Sequence, residues 1–162
     1  MNAERYRRWF EYECDSNAKV LASLQAVPAE LRAEPFQKAV NLLAHLVAAR
    51  QMWLFRLGVA AKPVELFPPH TDLSDLPSLV ESMQAAWTKY LTSLDDNDIS
   101  RVVEYQSYEG QRFRNTIDDI LTQLFGHSLY HRGQIAMIIR SIGAEPAVTD
   151  FVFWARETES ES

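Results

Sequence analysis

The sequence predicts an all-α protein, a four-helix bundle with a short β-hairpin between helices three and four. Four segments of roughly 20 residues place apolar side chains at helical spacing. One stretch near residue 105 is instead rich in strand-forming residues and carries a glycine. The length of 162 residues suits one domain over 1–162, and 47% hydrophobic with 23% charged residues is typical of a soluble globular protein.

The first two helices are predicted over residues 3–25 and 36–57. Pro28 follows the first helix and Gly58 the second, and both residue types end helices. Residues three, four or seven positions apart form one face of the first helix, namely Tyr6, Phe10, Asn17, Leu21 and Leu24. Apolar residues on more than one side of the second helix predict neighbours on both sides: Val40, Leu43, Val47, Trp53, Leu54 and Leu57.

A stiff, non-helical loop is predicted over residues 59–72, which contain three prolines. The third helix is predicted from Leu73 or Leu76 to Leu94, with Pro77 in its first turn, where proline is tolerated. The acidic run DDND that follows is expected to end this helix. Because the loop is long for a tight antiparallel turn, the long connections are candidates for crossovers.

The hairpin is predicted where the segments RVVEYQS and QRFRNT flank YEG. Val103, Tyr105 and Phe113 favour strands, and Gly110 supplies a turn. The change from helical spacing to strand-forming residues separates this part of the chain from the helices on either side.

The fourth helix is predicted over residues 116–142. Asp119 lies three residues after Thr116, in the manner of a capping box, and Gly143 is placed to end the helix. The aromatic segment 145–157 is expected to pack back over the bundle, and the charged tail ETESES is expected to fray. The four tryptophans are interpreted as core and rim residues rather than as a ligand cage.

Net charge and cysteine content exclude several classes of protein. A formal net charge of −6 argues against nucleic-acid binding, which needs a basic face, so no nucleic-acid partner is expected. Cys14 is the one cysteine and has no internal disulfide partner, which excludes a secreted scaffold held by disulfides. We interpret Cys14 as an ordinary helix residue, since no environment that lowers a thiol pKa is evident.

Two observations predict a cytoplasmic protein with no membrane partner. The first residues, MNAERYRRWFEYE, contain no apolar run that resembles a signal peptide. The most apolar long stretch, AVNLLAHLVAARQMWLF, is interrupted by His45, Arg50 and Gln51. It falls short of the roughly 20 apolar residues that a membrane span needs.

Three histidines form a candidate metal site. His127 and His131 are four residues apart on one predicted helix, so they share a face with Cβ atoms about 6 Å apart. His45 lies in the middle of the apolar segment NLLAHLVAA on another helix. A buried imidazole needs a partner for each nitrogen, and a metal ion with a second acceptor would supply both. Three neutral imidazoles suit Zn²⁺, Ni²⁺ or Fe²⁺.

A simpler interpretation of the pair is that both imidazoles are solvated, as histidines four apart on a helix usually are. If the metal interpretation holds, three protein ligands leave a coordination position open for water or substrate, as in catalytic sites. A metal there lowers the pKa of bound water to about 7, or deprotonates a bound thiol. His70, in the loop segment FPPHTD, is expected on the surface.

Several neighbouring residues have two interpretations. Gln134 orients a ligand or makes a polar contact between helices, and Asn17 is a candidate hydrogen-bond donor behind the ligands. Arg132 is expected to point away from the histidines, into a salt bridge or a dimer contact. Gly126 and Gly133 lie on one side of the helix and each cost up to about 1 kcal/mol of helix propensity. A close neighbouring backbone or metal-bound ligand would offset that cost.

Taken together, these segments resemble the DinB superfamily. The resemblance lies in NLLAHLVAARQMWLFRLG, a hairpin, then GHSLYHRGQI, GAEP and TDFVFW, and more weakly in SNAKVLASL near the start. It covers nearly the whole chain, and HxxxHRGQI is its most specific part. The resemblance implies an up-down-down-up four-helix bundle, a homodimer, and a divalent metal, zinc or nickel, held by His45, His127 and His131.

Two functions follow as hypotheses. Characterised members of the superfamily include transferases and isomerases that use low-molecular-weight thiols such as mycothiol or bacillithiol. The first hypothesis is therefore a metalloenzyme whose site activates such a thiol, or water, towards a small-molecule substrate; no catalytic residue beyond the ligands is identified. The second is a non-catalytic metal-binding bundle that acts in assembly or small-molecule sensing. Turnover that requires a thiol distinguishes thiol transfer from hydrolysis. The second hypothesis predicts instead that removing the metal lowers stability or dimerisation and that no substrate is turned over.

Overall fold

The computed structural model describes residues 2–107 and 109–156. Its long helices are α1 (Ala3–Ala26), α2 (Glu34–Arg56), α3 (Leu76–Ser93) and α5 (Ile117–Ser141). Two short helices, α4 (Asp96–Ile99) and α6 (Phe151–Ala155), and a hairpin of β1 (Val102–Gln106) and β2 (Arg112–Thr116) complete the fold. The four predicted long helices and the hairpin are confirmed, while Tyr108 of the predicted turn and the tail 157–162 lie outside the described residues.

The ends of the long helices follow from capping. The side chain of Asn2 accepts a hydrogen bond from the backbone N–H of Arg5 at the start of α1. Thr116 and Asp119 form the predicted capping box at the start of α5, in which each side chain accepts from the other residue's backbone. Such a cap stabilises a helix by about 1 kcal/mol. Gly143 follows α5 with φ of 82°, a conformation that favours glycine.

The acidic run after α3 has a second role that the sequence reasoning missed. Helix α3 ends at Ser93, and Asp95 then begins α4 by accepting hydrogen bonds from the backbone of Asn97 and Asp98. The prediction that DDND only ends a helix is therefore incomplete, because aspartate is also a strong N-cap residue. The turn of helix that it starts places Ile99 in the core.

The four long helices are arranged so that each one packs against two neighbours. Helices α1 and α2 each pack against α3 and α5, so α1 lies diagonally opposite α2. Strand β1 pairs antiparallel with β2 and also packs against α2. The connection through α4 and the hairpin therefore joins the diagonal pair α3 and α5, whereas the proline-containing loop joins the neighbours α2 and α3.

The core consists of two apolar clusters separated by a polar layer. One cluster includes Phe10, Trp87 and Leu124, and the other includes Leu43, Leu76 and Ile139. Between them the three helices α1, α2 and α5 bring polar side chains to the middle of the bundle. This polar layer comprises Glu13, Ser16, Asn17, His45, Arg50, His127, Ser128, His131 and Arg132. A buried polar layer is costly unless its members are paired, which makes it the part of the fold most in need of a functional explanation.

The segment after α5 packs back over the bundle, as predicted. Tyr12 donates a hydrogen bond to the backbone carbonyl of Thr149, and its ring meets those of Phe151 and Trp154 at 5.0 and 5.7 Å. Trp87 is fully buried and the other tryptophans are partly buried, so their interpretation as core and rim residues is confirmed. Among the described residues, no helix combines the length and apolar character that crossing a membrane requires.

Candidate metal centre

The three predicted histidines converge in the polar layer. The Nε2 atom of His127 lies 3.2 Å from Nε2 of His45 and 3.1 Å from Nε2 of His131. One nitrogen from each ring falls within 4.8 Å of the others, and these are the described residues that could hold a metal ion together. Because α2 and α5 are packed neighbours, a histidine in the middle of α2 directly faces the pair on α5.

Hydrogen bonds on the far side of two rings determine which nitrogen faces inward. His45 Nδ1 lies 2.6 Å from the carbonyl oxygen of Leu66, and His131 Nδ1 lies 2.6 Å from Oε1 of Gln134. A carbonyl oxygen only accepts, so each Nδ1 carries the proton and donates. In the neutral ring Nε2 is then an unprotonated acceptor. The predicted ligand-orienting role of Gln134 is consistent with this contact.

The inward-facing nitrogens could hold a cation. The unprotonated Nε2 atoms of His45 and His131 face the same small space. Without a metal ion, one proton on His127 Nε2 would be shared between these two acceptors. A divalent ion satisfies all three lone pairs at once. Tetrahedral bonds of about 2.0–2.1 Å from zinc to nitrogen place ligand atoms about 3.3 Å apart. The observed separations of 3.1 and 3.2 Å are close to that value.

The surroundings of His127 and His131 favour the neutral form of both rings, which is the form that metal binding requires. Burial, together with the neighbouring His131, His45 and Arg50, lowers the pKa of His127 to about 4. Burial also lowers the pKa of His131, although the hydrogen bond to Gln134 opposes this shift. Neutral imidazole is the form that binds metal, so the site is ready for a cation at neutral pH.

The histidines open into a cavity of about 380 Å³. Its walls are mainly apolar and come from α2, α5 and the proline-containing loop. Phe67 of that loop stacks on the His45 ring, with centroids 4.4 Å apart and planes 7° from parallel. Among the described residues that line the cavity there is no carboxylate, so none supplies a fourth, anionic ligand that would close the site. A metal ion held by the three histidines would therefore keep an open position, as metals in catalytic sites do.

A buried ion pair joins two helices close to the histidines. Arg50 on α2 forms a two-pronged ion pair with Glu13 on α1, across the diagonal of the bundle, and both side chains are about 5% exposed or less. The guanidinium lies 4.9 Å from the ring centroid of Trp87, whose indole N–H donates to the Arg50 carbonyl. This network joins three helices behind His127.

Three further residues that the sequence analysis considered do not contact the histidine cluster. His70 is exposed, as predicted; it pairs with Asp72 and does not join the cluster. Asn17 is buried, but no hydrogen bond links it to a histidine in the described part of the chain, and its Oδ1 has no partner there. Cys14 is partly buried, and burial with the adjacent Glu13 raises its pKa to about 11, in agreement with an ordinary helix residue.

The salt bridge or dimer contact expected of Arg132 is wrong, although the residue does not line the histidine cavity. Its side chain is 2% exposed and its guanidinium lies over the Tyr12 ring, 5.3 Å from the centroid. Within residues 2–107 and 109–156 no ion pair or hydrogen bond reaches its three side-chain nitrogens. The segment after α5 covers this face of the helix, so Arg132 is enclosed by its own chain rather than free for a dimer contact.

The explanation offered for the two glycines is also wrong as far as the described chain goes. A Cβ at Gly126 or Gly133 would meet no described atom within 4 Å, and neither residue lines the histidine cavity. Both glycines are exposed on the outer side of α5. The two glycines are therefore not explained by the close approach of a described backbone segment or of a metal-bound ligand.

Sequence reasoning missed the loop residues and the ion pair. Leu66 acts through its backbone carbonyl, which no side-chain pattern reveals, and Phe67 is an exposed aromatic in a loop. Glu13 and Arg50 are 37 positions apart and looked like ordinary helix charges. The available signal was that both occupy positions on the apolar face of their helices.

Comparison with known proteins agrees with the fold and shows the family. The family model described as "DinB family" matches residues 1–162. The chain is 22% identical to protein DinB of Bacillus subtilis (strain 168), over 94% of each protein. The crystal structure of a DinB-like protein from Bacillus cereus ATCC 10987 is similar with a TM-score of 0.69 and 18% identity, covering 91% of this chain and 97% of that one. The chain belongs to the DinB family.

Proposed function

We propose that this protein is a metal-dependent enzyme that binds zinc or nickel through the Nε2 atoms of His45, His127 and His131. The observation that carries the proposal is the convergence of the three Nε2 atoms, two of which have their Nδ1–H groups already engaged. A bound divalent metal supplies a Lewis acid that lowers the pKa of a water or thiol in its open position. The chain's own residues orient the ligands and shape the cavity in front of them.

The roles of the surrounding residues follow from their contacts. The Leu66 carbonyl and the Gln134 side chain hold the His45 and His131 rings in the metal-binding tautomer. Such acceptors also make the opposite nitrogen a better ligand. Phe67 and Trp53 line the cavity and limit water around the reacting groups, which strengthens electrostatic interactions inside it.

We propose a low-molecular-weight thiol as the nucleophile, in a transfer to a small-molecule electrophile. The described residues that line the cavity include no carboxylate, lysine or tyrosine to act as a general base. A thiol, with an ordinary pKa near 8.5, needs less help to lose its proton than water does. The thiol-dependent reactions of characterised relatives support the same choice, whereas metal-assisted hydrolysis remains the alternative reaction at this site.

The test is conversion of a generic electrophile, monobromobimane, by zinc-loaded and nickel-loaded protein with cysteine, coenzyme A or bacillithiol supplied in turn. We expect a rate above the uncatalysed one with at least one thiol, and its loss in His45→Ala. His70→Ala is the matched control, since His70 lies outside the cluster. Hydrolysis of p-nitrophenyl esters without thiol would instead favour water as the nucleophile.

A second function, a non-catalytic metal-binding bundle, is supported by the position of the site. The three rings join α2 to α5 in the polar layer, where a bound ion would stabilise the fold. In that case removal of metal lowers the melting temperature or breaks up an assembly, and no thiol or ester is turned over. Turnover that depends on the metal decides between the two functions.

We also propose that the protein forms a homodimer through the outer side of α5. Gly126, Tyr130, Gly133 and Met137 lie at spacings of four, three and four, which is one side of the helix. Tyr130 and Met137 are 64% and 63% exposed, although both are large apolar side chains. Two glycines on this side let the backbone of a second helix approach closely, which accounts for residues that no described part of the chain explains.

A further inference from the structure

A second cavity lies between the end of α2 and the hairpin. It has a volume of about 790 Å³, larger than the histidine cavity. Its lining is both aromatic and basic: Arg56, Arg112 and Arg114 contribute positive charge, Tyr105 and Phe113 contribute rings, and Glu104 contributes the one carboxylate. We call this space the hairpin cleft.

The charge of the hairpin cleft contrasts with that of the protein. Three arginines and one glutamate line it, in a chain whose formal net charge is −6. No ion pair to a described residue neutralises any of the three arginines. A concave surface lined by charges of one sign raises the local concentration of ligands of the opposite sign. The cleft is therefore suited to an anion.

Arg56 is held in position without being neutralised. Its guanidinium lies 4.9 Å from the ring centroid of Trp53 and 5.1 Å from that of Tyr105. Its Nε atom is buried and has no hydrogen-bond partner in the described structure. Stacking of this kind fixes the planar donor group while leaving its hydrogen-bonding capacity for a ligand. Leaving a buried donor unpaired is costly, which points to a missing acceptor.

The hairpin cleft borders the histidine cavity. Arg56 lines both spaces, and Trp53 of the histidine cavity meets Tyr105 of the cleft with ring centroids 4.9 Å apart. His45, Ala49, Met52 and Arg56 follow one another along a single face of α2 at spacings of four, three and four. At 1.5 Å per residue, the backbone positions of His45 and Arg56 are about 16 Å apart along the helix.

We propose that the hairpin cleft binds the carboxylate end of an elongated substrate whose reactive end lies at the three histidines. The proposal deepens the proposed function and rests on it. Guanidinium groups match carboxylates with two parallel hydrogen bonds, and Arg56 supplies the donor nearest to the histidine cavity. Arg112 and Arg114 add positive charge on the far side, and the aromatic rings cover the apolar body of the ligand. The substrate class is an extended organic acid rather than a small neutral molecule.

The test uses zinc-loaded protein and two probes of equal chain length. Suberic acid monohydroxamate carries a metal-binding hydroxamate at one end and a carboxylate at the other, whereas octanohydroxamic acid ends in a methyl group. Isothermal titration calorimetry measures the affinity of each. We expect the carboxylate probe to bind about tenfold more tightly, the effect of one charge-assisted contact. Raising the salt concentration should reduce this preference.

Variants identify the residues responsible. Arg56→Gln is expected to abolish the preference for the carboxylate probe, measured as the ratio of the two affinities in the variant. The double variant Arg112→Gln/Arg114→Gln, on the exposed hairpin strand, tests the same cleft without touching the bundle and is expected to weaken the preference. Arg8→Gln removes the same charge from an exposed position on α1 and should leave the preference intact.

Two results would overturn the inference, and they differ from each other. Equal binding of both probes by the parent protein, or a preference that survives in both the Arg56 and the hairpin variants, overturns the hairpin cleft alone. Failure of both probes to bind the zinc-loaded protein contradicts the open metal position, and the cleft proposal then falls together with the proposed function.

Discussion

His45 donates a hydrogen bond from Nδ1 to the carbonyl oxygen of Leu66 at 2.6 Å, and this contact turns its Nε2 towards the two histidines of α5. A loop with no secondary structure of its own thus determines the tautomer of a residue in the middle of the bundle. The loop between α2 and α3 is long enough to fold over the site and make this contact. The contact also means that the site is assembled from three parts of the chain rather than two.

Gln134→Leu tests the corresponding contact on α5. The variant removes the acceptor for His131 Nδ1 and keeps the size of the side chain. We expect metal affinity to fall by about 10- to 100-fold, as for other outer partners of metal-binding histidines. A competition titration with a fluorescent chelator measures it. Gln123→Leu is the matched control, because Gln123 lines the cavity without a hydrogen bond to a histidine; equal losses in both variants would refute the orienting role.

Acidification should destabilise the metal-free protein through His127. The ordinary pKa of 6.5 applies in the unfolded chain, whereas burial and neighbouring charge lower the folded value to about 4. Between these values the unfolded state binds more protons, so the free energy of unfolding falls as the pH drops from 6.5 towards 4. Urea titrations across this range measure the slope. His127→Phe should have a shallower slope than the parent, and an unchanged slope would contradict the assignment.

The buried pair of Glu13 and Arg50 should be costly to break on one side only. Arg50→Met leaves the Glu13 carboxylate buried without its partner, and we expect a loss of about 3–5 kcal/mol in the free energy of unfolding. The double variant Glu13→Leu/Arg50→Met removes both charges and should recover much of that loss. Chemical denaturation of the metal-loaded variants measures both. Additive losses would show that the two charges do not act as a pair.

The proposed dimer depends on an apolar stripe of α5. Met137→Arg places a charge in the middle of the outer face of this helix, so we expect the parent to be a dimer and the variant a monomer at the same concentration. Sedimentation equilibrium measures the mass. Leu79→Arg, at an exposed apolar position of α3, is the control and should remain a dimer. A monomeric parent protein would refute the interface.

Much of the fold could be predicted because local signals agree with the final packing. Thr116, Asp119 and Gly143 mark the two ends of α5 by capping chemistry that acts within a few residues. The approach of His45 to the α5 pair was also predictable, since a histidine in a wholly apolar segment requires a partner. The family resemblance then supplied the pairing of the two helices.

Other features depended on contacts between distant parts of the chain. The burial of Arg132 comes from the segment after α5, which covers one face of that helix through Tyr12 and Thr149. The ion pair between Glu13 and Arg50 depends on α1 and α2 lying diagonally, and spacing along one helix carries no information about that arrangement. The cytoplasmic location and the lack of a nucleic-acid partner stay predictions.

The most direct test of the central claim is the metal content and coordination of the purified protein. Elemental analysis should find one zinc or nickel ion per chain, and X-ray absorption should show three imidazole nitrogens at about 2.0–2.1 Å. His45→Ala and His131→Ala should lose the metal, whereas His70→Ala should keep it. A parent protein with no metal above background after reconstitution, or alanine variants at His45 and His131 that retain it, would contradict the account.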